Sequence, residues 1–430
     1  MPSIIKHITI LLLFIFSVQL RAQNPVEKKY NRELEQLVDN SKIQYALNHI
    51  LELEPKTRED HIMLTEIPAP LNMERERAEK FIDLLKQSGA DSVWIDKAGN
   101  VIALRRGTKG EKLVAINGHM DTVFPDGTDC TVKYRGDTLF APGIGDDTRG
   151  LIIILTVLRA MEKAGIETEA DMIFVGTVGE EGLGDLKGSK YLFNESGMKI
   201  DSWISVDGGS ISNIVTSALG SVRYRINFEG PGGHSWGAFG YVNPIHALST
   251  AIDYFVEEAD KYTSSGPVTS YNVGRIGGGT SINSVPYHAW AEVDMRSESP
   301  EKLNGIEDIL LSAVDKAHSH QNELRRSGPE LVLDMQRVGI RPSGTIDSST
   351  PLVQRAMAVA KHFGSTPQLR TGSTDASIPI SKGIPAITIG RGGKGGANHS
   401  LDEWWINIEG HIAIQNALLV LIAESGFVNR

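Results

Sequence analysis

Hydrophobic positions along the chain change period in a way that marks out elements. Leu113, Val114, Ala115 and Ile116 form a short continuous apolar run, as does Met172–Val178, and such runs suit strands buried on both faces. Asn72–Ser88 carries Ala78, Phe81, Ile82, Leu84 and Leu85 on one side and is expected to be a helix. Helices are also expected at Gly150–Lys163, Thr350–Phe363 and Asn407–Ser425, and strands at Ser92–Ile95, Val101–Leu104, Ser202–Val206 and Pro385–Gly390. Residues 24–60 are polar and helix-prone, ending near Pro55. Strand and helix alternate, which predicts an α/β class with a mixed, mostly parallel sheet.

The pattern changes near Gly220. Val222, Tyr224, Ile226 and Phe228 alternate with polar neighbours, as in a strand with one solvated face. A helix at Pro244–Tyr262, strands at Thr269–Ile276 and His288–Arg296, a helix at Pro300–His318 and a strand at Glu330–Arg337 follow. That order, β-α-β-β-α-β, is a ferredoxin-like α+β unit. The α/β pattern resumes after about residue 340. We therefore expect a discontinuous domain over residues 23–219 and 338–430 with a smaller one, 220–337, inserted in it.

Length supports two domains, since 430 residues exceed one ordinary core. At the N-terminus, Lys6 and His7 precede the apolar run Ile8–Val18, and Ala22 offers a small residue for cleavage before Gln23. The run is too short to span a bilayer comfortably. Residues 1–22 thus read as a cleaved signal peptide, with a periplasmic or secreted location and no stable membrane insertion afterwards. Net charge is -10, and removing residues 1–22 leaves 41 basic against 53 acidic side chains. This acidic balance argues against nucleic acid and against anionic membranes as partners. Cys130 is the single cysteine, so neither an intrachain disulfide nor a thiolate cluster is available and any metal must be held by His, Asp or Glu.

Candidate chemistry gathers where strands should end. His119 and Asp121 close the run 113–116 and point to the same side of a strand. Downstream come Asp146 and Asp147 in a Gly-rich loop before a helix, Glu180 and Glu181 after an apolar strand, Asp207 after another, and His399 in a glycine loop. Each alone has an ordinary reading; Asp147, for example, suits a helix cap. Together they supply two histidines and several carboxylates, a set that suits Zn²⁺ and also Mn²⁺ or Co²⁺. In open α/β sheets such sites lie at the carboxyl ends of strands.

In this order, His119-Met120-Asp121, the Asp146-Asp147 loop, Glu180-Glu181, Asp207 and His399 resemble the co-catalytic zinc peptidase family. That family contains peptidase T, carboxypeptidase G, aminoacylase and succinyl-diaminopimelate desuccinylase. The resemblance covers nearly the whole chain after residue 22. It implies two Zn²⁺ per subunit, with His119 and Asp207 on one, Glu181 and His399 on the other, and Asp146 bridging. It implies Glu180 as general base and Asp121 as the residue that orients His119. In the inserted domain, His234 resembles the lid histidine that stabilises the oxyanion, while Asn283 and Arg296 match positions that bind the substrate carbonyl or carboxylate. The inserted domain is then a lid and the contact of a homodimer. The Asp146–Asp147 peptide is often cis in this family. Thr148 stands where relatives often carry Lys, and Thr374 is inserted in a segment, Arg370–Asp375, that resembles the family's Gly-Ser-Asp.

The expected activity is hydrolysis of an amide bond in small peptides by an exopeptidase, or in N-acyl amino acids by a deacylase. Two rivals remain distinct. Gly233-His234-Ser235-Trp236-Gly237 matches the G-x-S-x-G elbow of serine hydrolases, although that motif must join a buried strand directly to a helix. A non-catalytic peptide-binding protein would not need Glu180.

Overall fold

The continuous apolar runs form the middle of a nine-stranded sheet. A computed structural model describes residues 25–429, so the expected signal segment 1–22 lies outside the described residues. The strand Leu113–His119 lies parallel between Asp171–Thr177 and Ser202–Val206, and Ala386–Ile389 pairs in parallel beyond Ser202–Val206. Antiparallel pairs flank this centre, with Val101–Arg105 and Ser92–Ile95 on one side. On the other side Asn213–Ala218 takes Gln368–Gly372 in parallel and Gly344–Thr345 antiparallel. The helices Thr148–Lys163 and Gly410–Ser425 contribute Leu151, Leu155, Leu158, Leu418 and Ile422 to the core of Ile116, Phe174, Trp203, Ile204 and Ile387. Each such burial is worth about 1.5–3 kcal/mol, against about 0–1 kcal/mol for a surface ion pair. Packing of the sheet therefore holds the strand ends in place.

The second unit is the ferredoxin-like one. Its four-stranded antiparallel sheet has the order Thr269–Gly278, His288–Ser297, Gly220–Glu229, Val332–Arg341. Val222, Tyr224, Ile226 and Phe228 pack under the helices Pro244–Thr263 and Pro300–Glu323. The other sheet face is polar, with Arg223 bonded to Asp294 and Arg225 to Glu292. A two-stranded ribbon, Gly233–His234 with Ser284–Val285, stands beside it.

Two local expectations need correcting. Residues 24–60 do not end a helix near Pro55; the segment holds Lys28–Val38 and Ser41–Glu52, and Pro55 sits in the first turn of a third helix, Glu54–Thr65. Proline is tolerated there because its missing N–H has no intrahelical partner anyway. The helix expected at Asn407–Ser425 begins at Gly410, and ahead of it Trp404–Ile406 forms a strand paired with Thr138–Phe140, with Trp405 packed against His61 and Arg149. These three-residue strands are too short to display a period in sequence.

Candidate metal centre

The parallel strands end level, with His119 opposite Thr177, so the loops that follow them meet. Glu180 and Glu181 lie just past Asp171–Thr177, and Asp207 directly after Ser202–Val206. Asp146 and Asp147 precede the helix Thr148–Lys163, whose first turn approaches the sheet closely: a Cβ on Gly150 would lie 2.3 Å from the Val206 carbonyl oxygen. Asp147 caps that helix by accepting from the Gly150 N–H at 3.2 Å, and it also accepts from the His119 N–H at 3.0 Å. The Asp146–Asp147 peptide is cis.

His119 is fully directed. Its Nδ1–H donates to the Asp121 carbonyl oxygen at 3.0 Å, leaving Nε2 facing Asp146 Oδ1 at 3.1 Å. The orienting contact of Asp121 is thus its backbone oxygen, since its carboxylate lies 3.7 Å from the imidazole. That carboxylate instead accepts from the N–H groups of Glu180 at 2.9 Å and Glu181 at 2.8 Å. On the far side, His399 Nε2 lies 2.9 Å from Glu181 Oε1 and 3.4 Å from Asp146 Oδ2. Donor atoms of His119, Asp146 and Glu181 all lie within 4.8 Å of one another. Asp207 Oδ1 lies 3.7 Å from the guanidinium of Arg391.

Charge makes this arrangement costly without a cation. Burial pushes the Glu180 carboxyl well up, against the opposing pull of Arg341 and His119. Burial also raises Asp207, and Asp146 adds to the rise. Burial would raise Asp146 as well, but Arg391, His119 and His399 hold it well below the usual carboxylate range. Burial would lower the His119 imidazole, yet its bond to Asp146 and the charges of Asp147, Asp121 and Asp207 lift it well above its ordinary value. Hydrogen bonds to Asp146 and Glu181 push His399 up to about 10. Imidazoles and carboxylates held face to face, with Nδ1 of His119 committed to a carbonyl, fit a divalent cation with nitrogen and oxygen ligands.

Four further residues build the site: Glu403, Arg341 and Arg391 escaped the sequence reading, and Asp375 lies in the segment Arg370–Asp375 that resembles the family's Gly-Ser-Asp. Glu403 accepts from the N–H groups of Gly143 at 2.8 Å and of Gly145 and Asp146 at 2.9 Å, which fixes the loop presenting Asp146. Arg341, at the end of the strand that leaves the smaller unit, places Nη1 3.2 Å from Glu180 Oε1 and also bonds the Glu180 carbonyl. Asp375, pushed up to about 6 by burial, accepts from Asn117 at 2.8 Å below the strand end. Arg391 touches the Asp-Asp loop. Asp375 had a signal, the Gly-Ser-Asp likeness; the other three are lone charges with no local spacing.

The structure brings His234 and Asn283 together on the small ribbon, and among the described residues no hydrogen bond joins either to the metal residues. His234 Nδ1 accepts from the Trp236 N–H at 3.2 Å, and Asn283 Oδ1 from Ser281 at 2.6 Å. Arg296 donates to Asp294 at 2.7 Å on the polar sheet face. Ser235 follows the ribbon strand, and its N–H donates to the Asn283 carbonyl oxygen. The ribbon is antiparallel, which is not the strand-to-helix elbow of a serine hydrolase.

An α/β sheet with histidines and carboxylates converging at its strand ends, plus an inserted ferredoxin-like unit, is the architecture of a metal-dependent peptidase or amidohydrolase. The chain belongs to Peptidase family M20/M25/M40, whose sequence profile matches residues 115–424. It is 25 % identical over 361 residues to protein YqjE of Bacillus subtilis, covering 79 % of this chain and 91 % of that one. Carboxypeptidase G2 of a Pseudomonas species is 25 % identical over 295 residues, 67 % of this chain and 68 % of that one. Among solved structures, aminopeptidase PepT of Bacillus cereus superposes with a TM-score of 0.66 at 22 % identity, covering 86 % of this chain and 98 % of that one. The dipeptidase Dug1p of Saccharomyces cerevisiae gives 0.70 at 16 % identity, covering 89 % and 98 %. The chain is a hydrolytic enzyme of a metal-dependent family, typically zinc-using.

Proposed function

We propose that the protein is a two-zinc exopeptidase that cleaves an amide bond in small peptides. The observation that carries this reading is the anchoring of Glu180 and Glu181 by one carboxylate, Asp121, beside His119 and Asp146. His119 and Asp207 would hold one ion, Glu181 and His399 the other, with Asp146 shared by both. When bound, two such ions supply Lewis acidity and make water a stronger acid. Glu180 is 4 % exposed, next to Glu181 and within reach of Arg341. It takes a proton from the attacking water and delivers it to the leaving nitrogen as the carbon–nitrogen bond breaks. The smaller unit acts as a lid: His234 stabilises the oxyanion, and Asn283 and Arg296 hold the substrate carbonyl and carboxylate. His234 and Asn283 are exposed on the ribbon and spend their side-chain hydrogen bonds on Trp236 and Ser281, which favours closure or a second copy of the chain, hence a homodimer. The signal-like segment 1–22 supports a periplasmic or secreted location for this activity.

A second reading, N-acyl amino acid deacylation, uses the same residues and differs in the pocket wall; similarity to succinyl-diaminopimelate desuccinylase of Corynebacterium glutamicum, 22 % identical over 355 residues, favours keeping it. The test is hydrolysis of di- and tripeptides, C-terminal glutamates and N-acyl amino acids before chelation, after it, and after Zn²⁺ add-back. Peptide cleavage lost and regained with metal supports the proposal. Preference for acyl amino acids selects the deacylase, and activity indifferent to chelation but blocked by a serine-directed inhibitor overturns both.

A further inference from the structure

Arg391 stands inside the centre. It follows Gly390 at the end of the strand Ala386–Ile389 and is 8 % exposed. Its backbone N–H donates to the Gly208 carbonyl oxygen at 2.7 Å, and Nε donates to the same oxygen at 3.1 Å. With backbone and side chain both tied, the guanidinium has one place to go. Nη1 donates to the Gly145 carbonyl oxygen at 2.8 Å, to Asp146 Oδ1 at 2.9 Å and to Asp147 Oδ1 at 3.4 Å, and lies 3.7 Å from Asp207 Oδ1. A guanidinium does not lose its proton in proteins, so this is a fixed positive charge.

The two oxygens of Asp146 are consequently unlike. Oδ1 is shared by Arg391 and His119 Nε2. Oδ2 faces His399 at 3.4 Å and the Asn398 amide at 3.3 Å, both neutral when a metal replaces the imidazole proton. An ion between His119 and Asp207 must use carboxylates already engaged by a cation, in a buried setting where screening is weak. An ion between Glu181 and His399 meets the other edge of Asp146 and an imidazole whose side chain is 52 % exposed.

The geometry points to Arg391 as a built-in counter-charge that makes the two metal positions unequal: the Glu181/His399 position binds tightly, and the His119/Asp207 position is weak and exchangeable. Arg391 is a positioning residue, since it acts on Asp146 and Asp207 and not on substrate. This inference rests on the two-ion reading above and goes further, making catalysis respond to the free metal concentration of its surroundings.

Zn²⁺ titrated into the metal-depleted full chain, against a chromophoric chelator, tests it without reference to activity. The wild-type protein should show two dissociation constants at least about 100-fold apart. Arg391→Gln should bring them within about 10-fold by tightening the weaker position, while Arg391→Lys, which keeps the charge, should preserve the gap. Asp207→Asn should abolish the weaker event alone, a readout that does not depend on the Arg391 variants folding. Two wild-type ions of equal affinity, a gap unchanged in a folded Arg391→Gln, or loss of the tighter event in Asp207→Asn would overturn the inference and leave the two-ion reading standing. A single ion in both wild type and Arg391→Gln would overturn both.

Discussion

The N–H of Glu180 donates to Asp121 Oδ1 at 2.9 Å, and the next N–H, that of Glu181, to Asp121 Oδ2 at 2.8 Å. One carboxylate at the end of Leu113–His119 therefore sets the backbone of the proposed base and of a proposed ligand together. Hydrogen bonds to a charged acceptor are worth about 1.5–3 kcal/mol each, more than the typical neutral bond. Asp121→Asn keeps the shape, but its amide nitrogen must face one of these donors. We expect metal affinity to fall about 10–100-fold, as for other residues that hold ligands in place, with activity falling too. Measured Zn²⁺ dissociation constants decide it; unchanged affinity would show that Asp121 does not position the loop.

Glu180→Gln separates the base from the ligands. Glutamine is nearly isosteric and can still meet the Arg341 side of the pocket, yet it cannot carry the proton. The expected result is a kcat lower by about 10²–10⁴-fold, with bound metal and KM little changed. Metal analysis beside steady-state kinetics checks it, and a kcat within threefold of wild type would remove Glu180 from the chemistry.

How much of this was legible depended on whether a residue had neighbours to speak for it. His119 and Asp121 declared themselves through the period of a strand, and Glu180-Glu181 and Asp207 through their places after apolar runs. The alternation at Val222–Phe228 announced the second unit. Glu403, Arg341 and Arg391 reach the site by long-range folding: Glu403 bonds the loop at Gly143, 260 positions away, and no local pattern encodes that meeting. Pro55 misled because proline stops a helix in its interior but opens one in its first turn. His234, Asn283 and Arg296 were legible only through the family likeness, because each stands in a loop or on a strand face where no local period marks it out.

Glu403 gives the next prediction. Its carboxylate holds three N–H groups of the segment Gly143–Asp146, and burial raises its own pKa against those bonds. Glu403→Ala leaves the donors unsatisfied in a buried loop, at about 1–3 kcal/mol for each lost partner. The loop that carries Asp146 should relax, with metal affinity down about 10–100-fold and a lower melting temperature. Thermal unfolding with and without Zn²⁺ reads both effects. A variant with wild-type stability and metal affinity would deny Glu403 this role.

His61 links the centre's scaffold to acid stability. The ring is buried against Trp405, its Nε2–H donates to the Ile144 carbonyl oxygen at 2.6 Å, and Nδ1 has no hydrogen-bond partner among the described residues. Burial, with a further push from Arg149, lowers its pKa to about 3 from 6.5. Below pH 6.5 the unfolded chain takes up a proton that the folded one refuses. The stability His61 contributes is thus fully present above about pH 6.5 and lost as pH falls toward 3. At 1.36 kcal/mol per unit, this single group should remove about 2 kcal/mol between pH 6.5 and 5. His61→Phe loses the bond to Ile144 and so starts less stable, but it does not titrate. Urea unfolding of both metal-depleted proteins at pH 7 and 5 should show the wild type losing about 2 kcal/mol more than the variant. Equal losses would mean that His61 is protonated in the folded protein, and that the Ile144 loop is open enough to admit the charge.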